Sequence, residues 1–373
     1  MKITPFAVEQ WMNEFETMCR YNLAETCVAS LTIQELLNLA GQRDSLLKEL
    51  LPLKLTYGDI KGSSRLRSAI AALFTQRGPE EVLITHGAIG ANALVYQALV
   101  GAGDQVISVV PTYQQHYSIP ESLGAEVRRL HLRAENAFLP DLAELKRLVT
   151  PKTKLIAFTN PNNPTGSLMD RGCLDEIVAL ADSVGAYILS DEVYRGTDQE
   201  SDSLGASVAD LYARGISVGS MSKAFSLAGV RLGWICGPAE VLSAAEVHRD
   251  YNTISVGMVD DLLASIALEH QDKILKRSRH IVRENLGELD RWVAAESAIS
   301  YVKPKAGTVC LLKYQGDMPS REFCVRLIQE TGVLFTPGST FEEEGTVRIG
   351  YANNHEVLKG GLEATSRFLR TLQ

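Results

Sequence analysis

Short, almost wholly apolar runs recur between Glu81 and Cys236: VLIT, VISVV, KLIAFT, AYILS and ISVGS. Runs of this length, rich in β-branched residues, predict strands, and apolar side chains at nearly every position predict that both faces of each strand are buried. Segments with helical period, such as ANALVYQALV and CLDEIVALADSVG, lie between them. This alternation is typical of an α/β domain in which helices cover both faces of a mostly parallel sheet.

The pattern changes after Cys236. A long helical stretch covers residues 271–296, and the strand-like runs TVCLLK and TVRIGY follow it, which favours a second domain of α+β type. Residues 1–50 are amphipathic and helical in pattern, with no strand partner of their own, and we expect them to pack onto the C-terminal part. A chain of 373 residues is longer than one compact domain usually is. We therefore predict a large domain at 51–275 and a small domain formed by 1–50 and 276–373.

The charge balance and the cysteines restrict the possible partners. The chain has 37 lysine and arginine residues against 45 aspartate and glutamate residues, a formal net charge of −8, which disfavours broad contact with nucleic acid or an anionic membrane. No apolar run reaches the roughly 20 residues that span a bilayer, and the start MKITPFAVEQWMNEFE is acidic where a secretory signal is apolar. The six cysteines form no CxxC pair or Cys/His cluster. We therefore expect reduced thiols, no metal site and a cytoplasmic protein with small-molecule ligands.

The segment THGAIGANAL, residues 85–94, leads from a buried strand through two glycines into a helix. Such a turn leaves free backbone N–H groups and the positive end of the helix dipole at the carboxyl edge of the sheet, where a phosphate binds well. The candidate ligands are Gly87, Ala88 and Ile89. A glycine turn without any ligand is an equally good interpretation of this segment alone.

The segment NPNNPTG, residues 160–166, directly follows the strand KLIAFT. Its two prolines fix the backbone, so the side chain of Asn163 is held rigidly where the strand ends, and its amide can donate to a ligand oxygen. The alternative is a plain turn that leads into a helix.

The segment SDEVYRG, residues 190–196, places Asp191 at the end of another apolar strand. A carboxylate there is costly unless it pairs with a positive or protonated group, such as a protonated ring nitrogen. A solvated loop aspartate is the alternative. Tyr194, three residues on, can point the same way.

The segment SMSKAFSLAGVRLGW, residues 220–234, holds one lysine, Lys223, among small and hydroxylated residues, with one arginine and a glycine after it. By itself it could be a loop with two exposed basic residues. Together, a phosphate cradle, an asparagine, an acid suited to a pyridinium and a lysine, all at strand ends, are what pyridoxal 5′-phosphate (PLP) requires.

These motifs, in this order, resemble the class I/II aminotransferases of fold type I. The resemblance runs from LTYGDIKGSSRLRSAIA to VRIGYA, nearly the full chain. It implies a large domain, which binds PLP and has a mostly parallel seven-stranded sheet covered by helices, plus a smaller α+β domain. It also implies a homodimer in amino acid metabolism, which moves an amino group between an L-amino acid and a 2-oxo acid through an aldimine on Lys223.

The resemblance assigns roles around the cofactor ring. Lys223 is the aldimine lysine and the base of the proton shift, and Asp191 keeps the pyridine nitrogen protonated. Asn163 and Tyr194 contact O3′, and Tyr113, in VVPTYQQHY, stacks on the ring.

It also assigns the groups that bind phosphate and substrate. The phosphate ligands are Gly87, Ala88, Ile89, Ser220, Ser222 and Arg231. Arg348, in TVRIGYA, takes the substrate carboxylate by a bidentate fork beside Asn163. Tyr57, in YGDIKG, reaches the phosphate of the neighbouring subunit.

Two departures from the family pattern concern the substrate and the reaction. The turn GAIGA lacks the frequent serine or threonine hydroxyl, and YNLAETCVASLT resembles the capreomycidine synthase-like branch. A PLP-dependent cyclase or oxidase of a basic amino acid and a β-eliminating C–S lyase therefore stay open. Glu25 in this segment could meet a basic side chain or be solvated.

Fold type I domains also act as sensors in transcription regulators, but the resemblance begins almost at Met1, without a DNA-binding module ahead.

Overall fold

The computed structural model of the chain describes residues 2–42 and 46–372. Its strands are β1 (Tyr21–Asn22), β2 (Val82–His86), β3 (Gln105–Val110), β4 (Glu126–His131), β5 (Thr153–Thr159), β6 (Tyr187–Asp191), β7 (Gly215–Ser220), β8 (Leu232–Cys236), β9 (Ile299–Tyr301), β10 (Val309–Tyr314), β11 (Val333–Leu334), β12 (Thr336–Pro337) and β13 (Thr346–Gly350). Its α-helices are α1 (Ala7–Phe15), α2 (Ile33–Ala40), α3 (Leu46–Leu50), α4 (Ser64–Ala71), α5 (Gly87–Leu99), α6 (Gln115–Ser122), α7 (Leu142–Leu148), α8 (Arg171–Asp182), α9 (Val208–Leu211), α10 (Ala239–Asp250), α11 (Met258–Glu269), α12 (Gln271–Ala295), α13 (Ser320–Thr331) and α14 (His355–Thr371).

Seven strands form the large sheet, in the order β2-β8-β7-β6-β5-β3-β4. Only β8 runs antiparallel to its neighbours β2 and β7; the other adjacent pairs are parallel. The prediction of a mostly parallel seven-stranded sheet is confirmed. As a result, the strand ends that carry the predicted motifs, those of β2, β5, β6 and β7, meet at one edge of the sheet.

Both faces of this sheet are buried, as the apolar runs predict. In β2, Val82 and Ile84 belong to a core with α4 and α11, whereas Leu83 belongs to a different core with α5 and α10. Successive side chains of a strand point to opposite faces. The alternation between two cores therefore shows directly that helices cover both sides.

The small domain is built on a second, antiparallel sheet of order β12-β13-β10-β9. Its core includes Trp11 and Phe15 of α1, and the indole Nε1 of Trp11 donates to the Phe335 carbonyl at 2.9 Å. Contrary to its pattern, the N-terminal segment is not helical throughout: it contains β1, whose partner lies in the C-terminal part, where β1 pairs in parallel with β11 and Tyr21 lies opposite Val333. A two-residue strand is too short to show a period.

Helices α2 and α12 connect the two cores. Leu36 and Leu37 of α2 pack in the core of the large sheet rather than with the small domain. In α12, Leu275 joins the same core while Val282 joins the small-domain core. The domain boundaries at 51–275 stay a prediction. Within residues 2–42 and 46–372, no helix combines the length and hydrophobicity needed to cross a bilayer.

Candidate active site

The predicted motifs converge on one cavity of about 310 Å³ at the carboxyl edge of the large sheet. The predicted residues that line it are Ala88, Ile89, Tyr113, Asn163, Asp191, Tyr194, Ser220, Ser222, Lys223, Arg231 and Arg348. Parallel sheets place ligands at this edge because the turns after their strands meet there. Tyr57 does not line this cavity.

Lys223 follows β7 by three residues and projects its amine into the cavity. Its Nζ donates to Thr26 Oγ1 at 2.5 Å and lies 3.7 Å from Cys27 Sγ. Burial lowers the pKa of Lys223, but the ionisable groups of Cys27, Tyr194 and Glu25 raise it, and the net direction is upward. The free lysine is therefore an ammonium that must lose a proton before it can act as a nucleophile or base.

Asp191 is the last residue of β6 and is only 5% exposed. Its carboxylate accepts hydrogen bonds from Asn92 Nδ2 at 2.8 Å and from the Val193 N–H at 3.2 Å. Burial raises the pKa of Asp191, and these donors oppose the rise. In the described part of the chain no lysine or arginine forms an ion pair with it. A buried carboxylate that lines a cavity and has no ion-pair partner of this kind suits a protonated ring nitrogen.

Next to Asp191 lie two buried polar side chains, His116 and Tyr96, that the sequence did not reveal. His116 Nε2 is 4.0 Å from Asp191 Oδ2, and His116 Nδ1 is 2.8 Å from the Tyr96 hydroxyl. Complete burial lowers the pKa of His116 to about 4, so the ring is neutral at pH 7. Asn92 and Tyr96 are four residues apart and share one face of α5. That spacing of two polar groups in an apolar helix was the available signal.

Arg348 lies in β13 and is 2% exposed. Its Nη1 donates to Asn163 Oδ1 at 3.0 Å, and its Nη2 donates to the Ala24 carbonyl and to Thr336 Oγ1, each at 3.1 Å. Its Nε, which is also buried, has no acceptor among the described residues. Burial lowers the pKa of Arg348, yet a guanidinium stays charged in proteins. A buried cation with only neutral partners suits a carboxylate ligand.

The phosphate cradle forms where α5 begins. Gly87 has φ +64° and α5 has no side-chain cap, so its first N–H groups stay available. A Cβ at Gly87 would lie 3.2 Å from Arg231 Nη2, so the arginine closely approaches the turn. Ser220 and Ser222 line the cavity on the side of β7. Helix N-terminus, guanidinium and two hydroxyls together suit a dianion.

Residues 51–364 match the family model of aminotransferase class I and II. The chain belongs to this family. A crystal structure of a PLP-dependent aminotransferase from Streptococcus suis superposes with a TM-score of 0.96 at 45% identity, covering 100% of this chain and 99% of that one. Capreomycidine synthase of Streptomyces vinaceus is 31% identical over 369 residues, 98% of this chain and 93% of that protein. Aspartate/prephenate aminotransferase of Thermus thermophilus is 28% identical over 332 residues, 85% of this chain and 84% of that protein.

This class I/II aminotransferase therefore has fold type I and uses PLP, as predicted. The residues present fit that cofactor. Asp191 is a buried carboxylate without a cation, the start of α5 beside Arg231 is an anion cradle, and Lys223 brings an amine between them. These groups suit three different parts of PLP: Asp191 the ring nitrogen, the start of α5 with Arg231 the phosphate, and Lys223 the aldehyde.

The N-terminal segment of the aminotransferase also lines the cavity. Glu9 of α1 accepts a hydrogen bond from the Tyr113 hydroxyl at 2.7 Å, and Glu16, Glu25 and Thr26 line the same wall. Of these, only Glu25 was singled out from the sequence. Glu9 of α1 faces a site formed by residues far away in the chain, which no local pattern reveals.

Tyr57 is 69% exposed and lines a separate surface cavity of about 190 Å³ with Met258. Tyr194, by contrast, is 1% exposed, and burial raises the pKa of its phenol. The structure thus brings every predicted side chain except Tyr57 to the cavity of its own chain. Its proposed role on a neighbouring subunit stays a prediction.

Proposed function

We propose that this aminotransferase moves an amino group between an L-amino acid and a 2-oxo acid, with PLP attached to Lys223. One observation carries the proposal: the Lys223 amine, the buried Asp191 carboxylate and the Arg348–Asn163 pair line a single cavity. These groups are a base, a proton holder and a carboxylate anchor. Transamination requires all three within reach of one amino acid.

Each residue has a physical task. PLP, when bound, supplies the electron sink that makes the Cα proton of an amino acid acidic. Arg348 binds the α-carboxylate through a planar fork, and Asn163, hydrogen-bonded to Nη1, fixes the plane of that fork. Asp191 holds the proton on the ring nitrogen. The Lys223 amine, oriented by Thr26, takes the Cα proton.

We further propose a homodimer whose subunits share active sites. Large apolar side chains are exposed on one stretch of the chain and on a helix end: Leu51 is 79% exposed, Leu55 81%, Tyr57 69%, and Tyr251 93%. Exposed apolar groups in such number favour a protein–protein contact. In this arrangement Tyr57 reaches the phosphate in the partner's site. Cytoplasmic location stays a prediction of the sequence.

A cyclase of a basic amino acid is the second candidate. It is favoured by the 98% coverage of the match to capreomycidine synthase and by the acidic wall around Glu25. Transamination needs only the residues named above, whereas cyclisation needs a leaving group or an oxidant that acts on the substrate side chain. No specific feature favours a C–S lyase.

A single-turnover reaction distinguishes these functions. The PLP form of the enzyme is mixed with one amino acid at a time and followed by absorbance and product mass. Transamination predicts one equivalent of pyridoxamine phosphate and one of 2-oxo acid per site. A cyclised or eliminated product with the PLP form restored would exclude it. Borohydride reduction and peptide mapping should place the pyridoxyl group on Lys223, and a label on any other lysine would contradict the assignment.

A further inference from the structure

The cavity has a negative wall formed by three glutamates of the N-terminal segment. Glu9 lies on α1, Glu16 on the short turn after it, and Glu25 just beyond β1; all three line the cavity. In the described part of the chain none of them forms an ion pair. Glu14, on the same helix as Glu9, instead faces outward and pairs with Arg321 at 2.8 Å. The orientation of the three glutamates is therefore not a general property of this acidic segment.

Each basic side chain that lines the cavity already has a partner on PLP or on the α-carboxylate in the proposed function. These side chains are Lys223, Arg231 and Arg348. In the proposed function they bind the aldehyde carbon, the phosphate and the α-carboxylate respectively. The side chain of the amino acid then meets three carboxylates that form no ion pair with any described residue. A negative potential repels an anionic side chain and attracts a cationic one, most strongly where water is partly excluded.

The acidic wall lies next to the group assigned to the α-carboxylate. Arg348 is 2% exposed and lines the cavity, and its hydrogen-bond partners in the described part of the chain are all neutral, so it can bind an anionic group of the ligand there. The Ala24 carbonyl accepts from Arg348 Nη2 at 3.1 Å, so Glu25 is the next residue to the backbone that holds the carboxylate anchor. Arg348 and the backbone at Glu25 are therefore fixed relative to each other.

The backbone of Glu25 is also rigidly placed. Its N–H and that of Ala24 both donate to Asn22 Oδ1 at 3.1 Å. A Cβ at Gly350 would lie 1.7 Å from the Glu25 carbonyl oxygen, so this segment packs directly on β13, two residues from Arg348. Glu9 is oriented independently, because its Oε1 accepts from the Tyr113 hydroxyl. An oriented Glu9 carboxylate and a fixed Glu25 backbone lower the cost of ordering these groups around a cation.

We propose that the amino donor of this enzyme carries a cationic side chain, a guanidinium or an ammonium, held by Glu9 and Glu25 with Glu16 at the cavity mouth. The proposal rests on the proposed function, because it assigns Arg348 to the α-carboxylate. It names these glutamates as determinants of specificity. Aspartate and glutamate should be poor donors, because no cation among the described residues is left in the cavity for a second carboxylate.

The test uses two probes that bind without reacting. δ-Guanidinovalerate has the carboxylate and guanidinium of arginine without its α-amino group, and its ureido isostere has the same shape without the charge. Calorimetry on the PLP-loaded enzyme should give about tenfold tighter binding of the guanidino probe. The ratio should fall towards one in the Glu9→Gln/Glu25→Gln double variant and persist in Glu14→Gln. Equal affinities in the wild type, or a ratio that survives in the double variant, overturns the proposal.

Folding and function are separated by further measurements. The cofactor spectrum and the melting temperature report whether the double variant is intact, and the single variants Glu9→Gln and Glu25→Gln replace it if it is not. L-arginine, L-lysine, L-citrulline and L-aspartate are compared as donors in single turnover. Turnover of citrulline or aspartate, but not of arginine or lysine, would contradict the proposed cationic side chain and leave transamination intact. Tighter binding of the guanidino probe, with no pyridoxamine phosphate formed from any donor, would contradict transamination and leave the charge preference intact.

Discussion

The hydroxyl of Thr26 and the amine of Lys223 lie 2.5 Å apart, although 197 residues separate them in the chain. The Thr26 carbonyl in turn accepts from Thr308 Oγ1 at 2.6 Å, which fixes the threonine against the small domain. A residue of the N-terminal segment therefore orients the base of the large domain. Relative movement of the two domains would change the position of this amine.

Replacement of Thr26 tests this positioning role. Thr26→Val keeps the shape but removes the acceptor of Lys223 Nζ, and a lost hydrogen bond to a charged donor has an effect of about 1.5 kcal/mol. We expect kcat to fall by about tenfold with little change in KM, measured by steady-state kinetics across pH. Thr26→Ser should restore most of the activity. Equal impairment of the serine and valine variants would show that packing, rather than the hydroxyl, matters.

Arg348 is expected to dominate recognition of the α-carboxylate. Arg348→Lys keeps a charge but cannot form the bidentate fork, so affinity for the best donor should fall by roughly tenfold or more, typical of a charged hydrogen bond. Stopped-flow titration of the cofactor absorbance measures this affinity. Arg326→Lys is the control, since Arg326 pairs with Glu330 on the surface of α13. Unchanged affinity for the donor together with an altered cofactor spectrum would show that Arg348 does not bind the α-carboxylate.

The predictability of this site depends on where its residues stand in the chain. Asp191 and Lys223 could be predicted because each follows a buried strand, and parallel strands bring their ends together. His116 could not, because its importance comes from packing behind Asp191 rather than from any motif. Glu9 and Thr26 were missed for a related reason: they act across a domain contact whose geometry is tertiary. The two-residue strand β1 carries no period from which to predict it.

Subunit mixing tests whether Tyr57 serves a partner's site. If it does, Tyr57→Ala subunits and Lys223→Ala subunits are each inactive as homodimers, but a mixed dimer contains one site with both residues intact. Activity should therefore return after exchange of subunits, towards a quarter of the wild-type value for an equal mixture in which half the dimers are mixed. Exchange between two batches of Lys223→Ala is the control. Absence of recovery after verified exchange would argue against shared sites.

The neutral state of His116 makes stability depend on pH. Burial lowers its pKa to about 4 in the folded chain, against 6.5 as its ordinary value. Between these values the unfolded chain binds the proton and the folded chain does not, so stability is complete above about pH 6.5 and is lost as pH falls towards 4. The shift corresponds to about 3 kcal/mol at most. Asp191, whose pKa is raised by burial, acts in the opposite sense above its own ordinary value, so the comparison must be made between variants.

Urea unfolding from pH 7 to pH 4.5 should show a smaller loss of stability in His116→Gln than in the wild type. His280→Gln, at an exposed histidine of α12 with a side chain 76% exposed, should keep the wild-type slope. If His116→Gln also keeps that slope, the acid sensitivity comes from other groups and His116 is not held neutral by the fold.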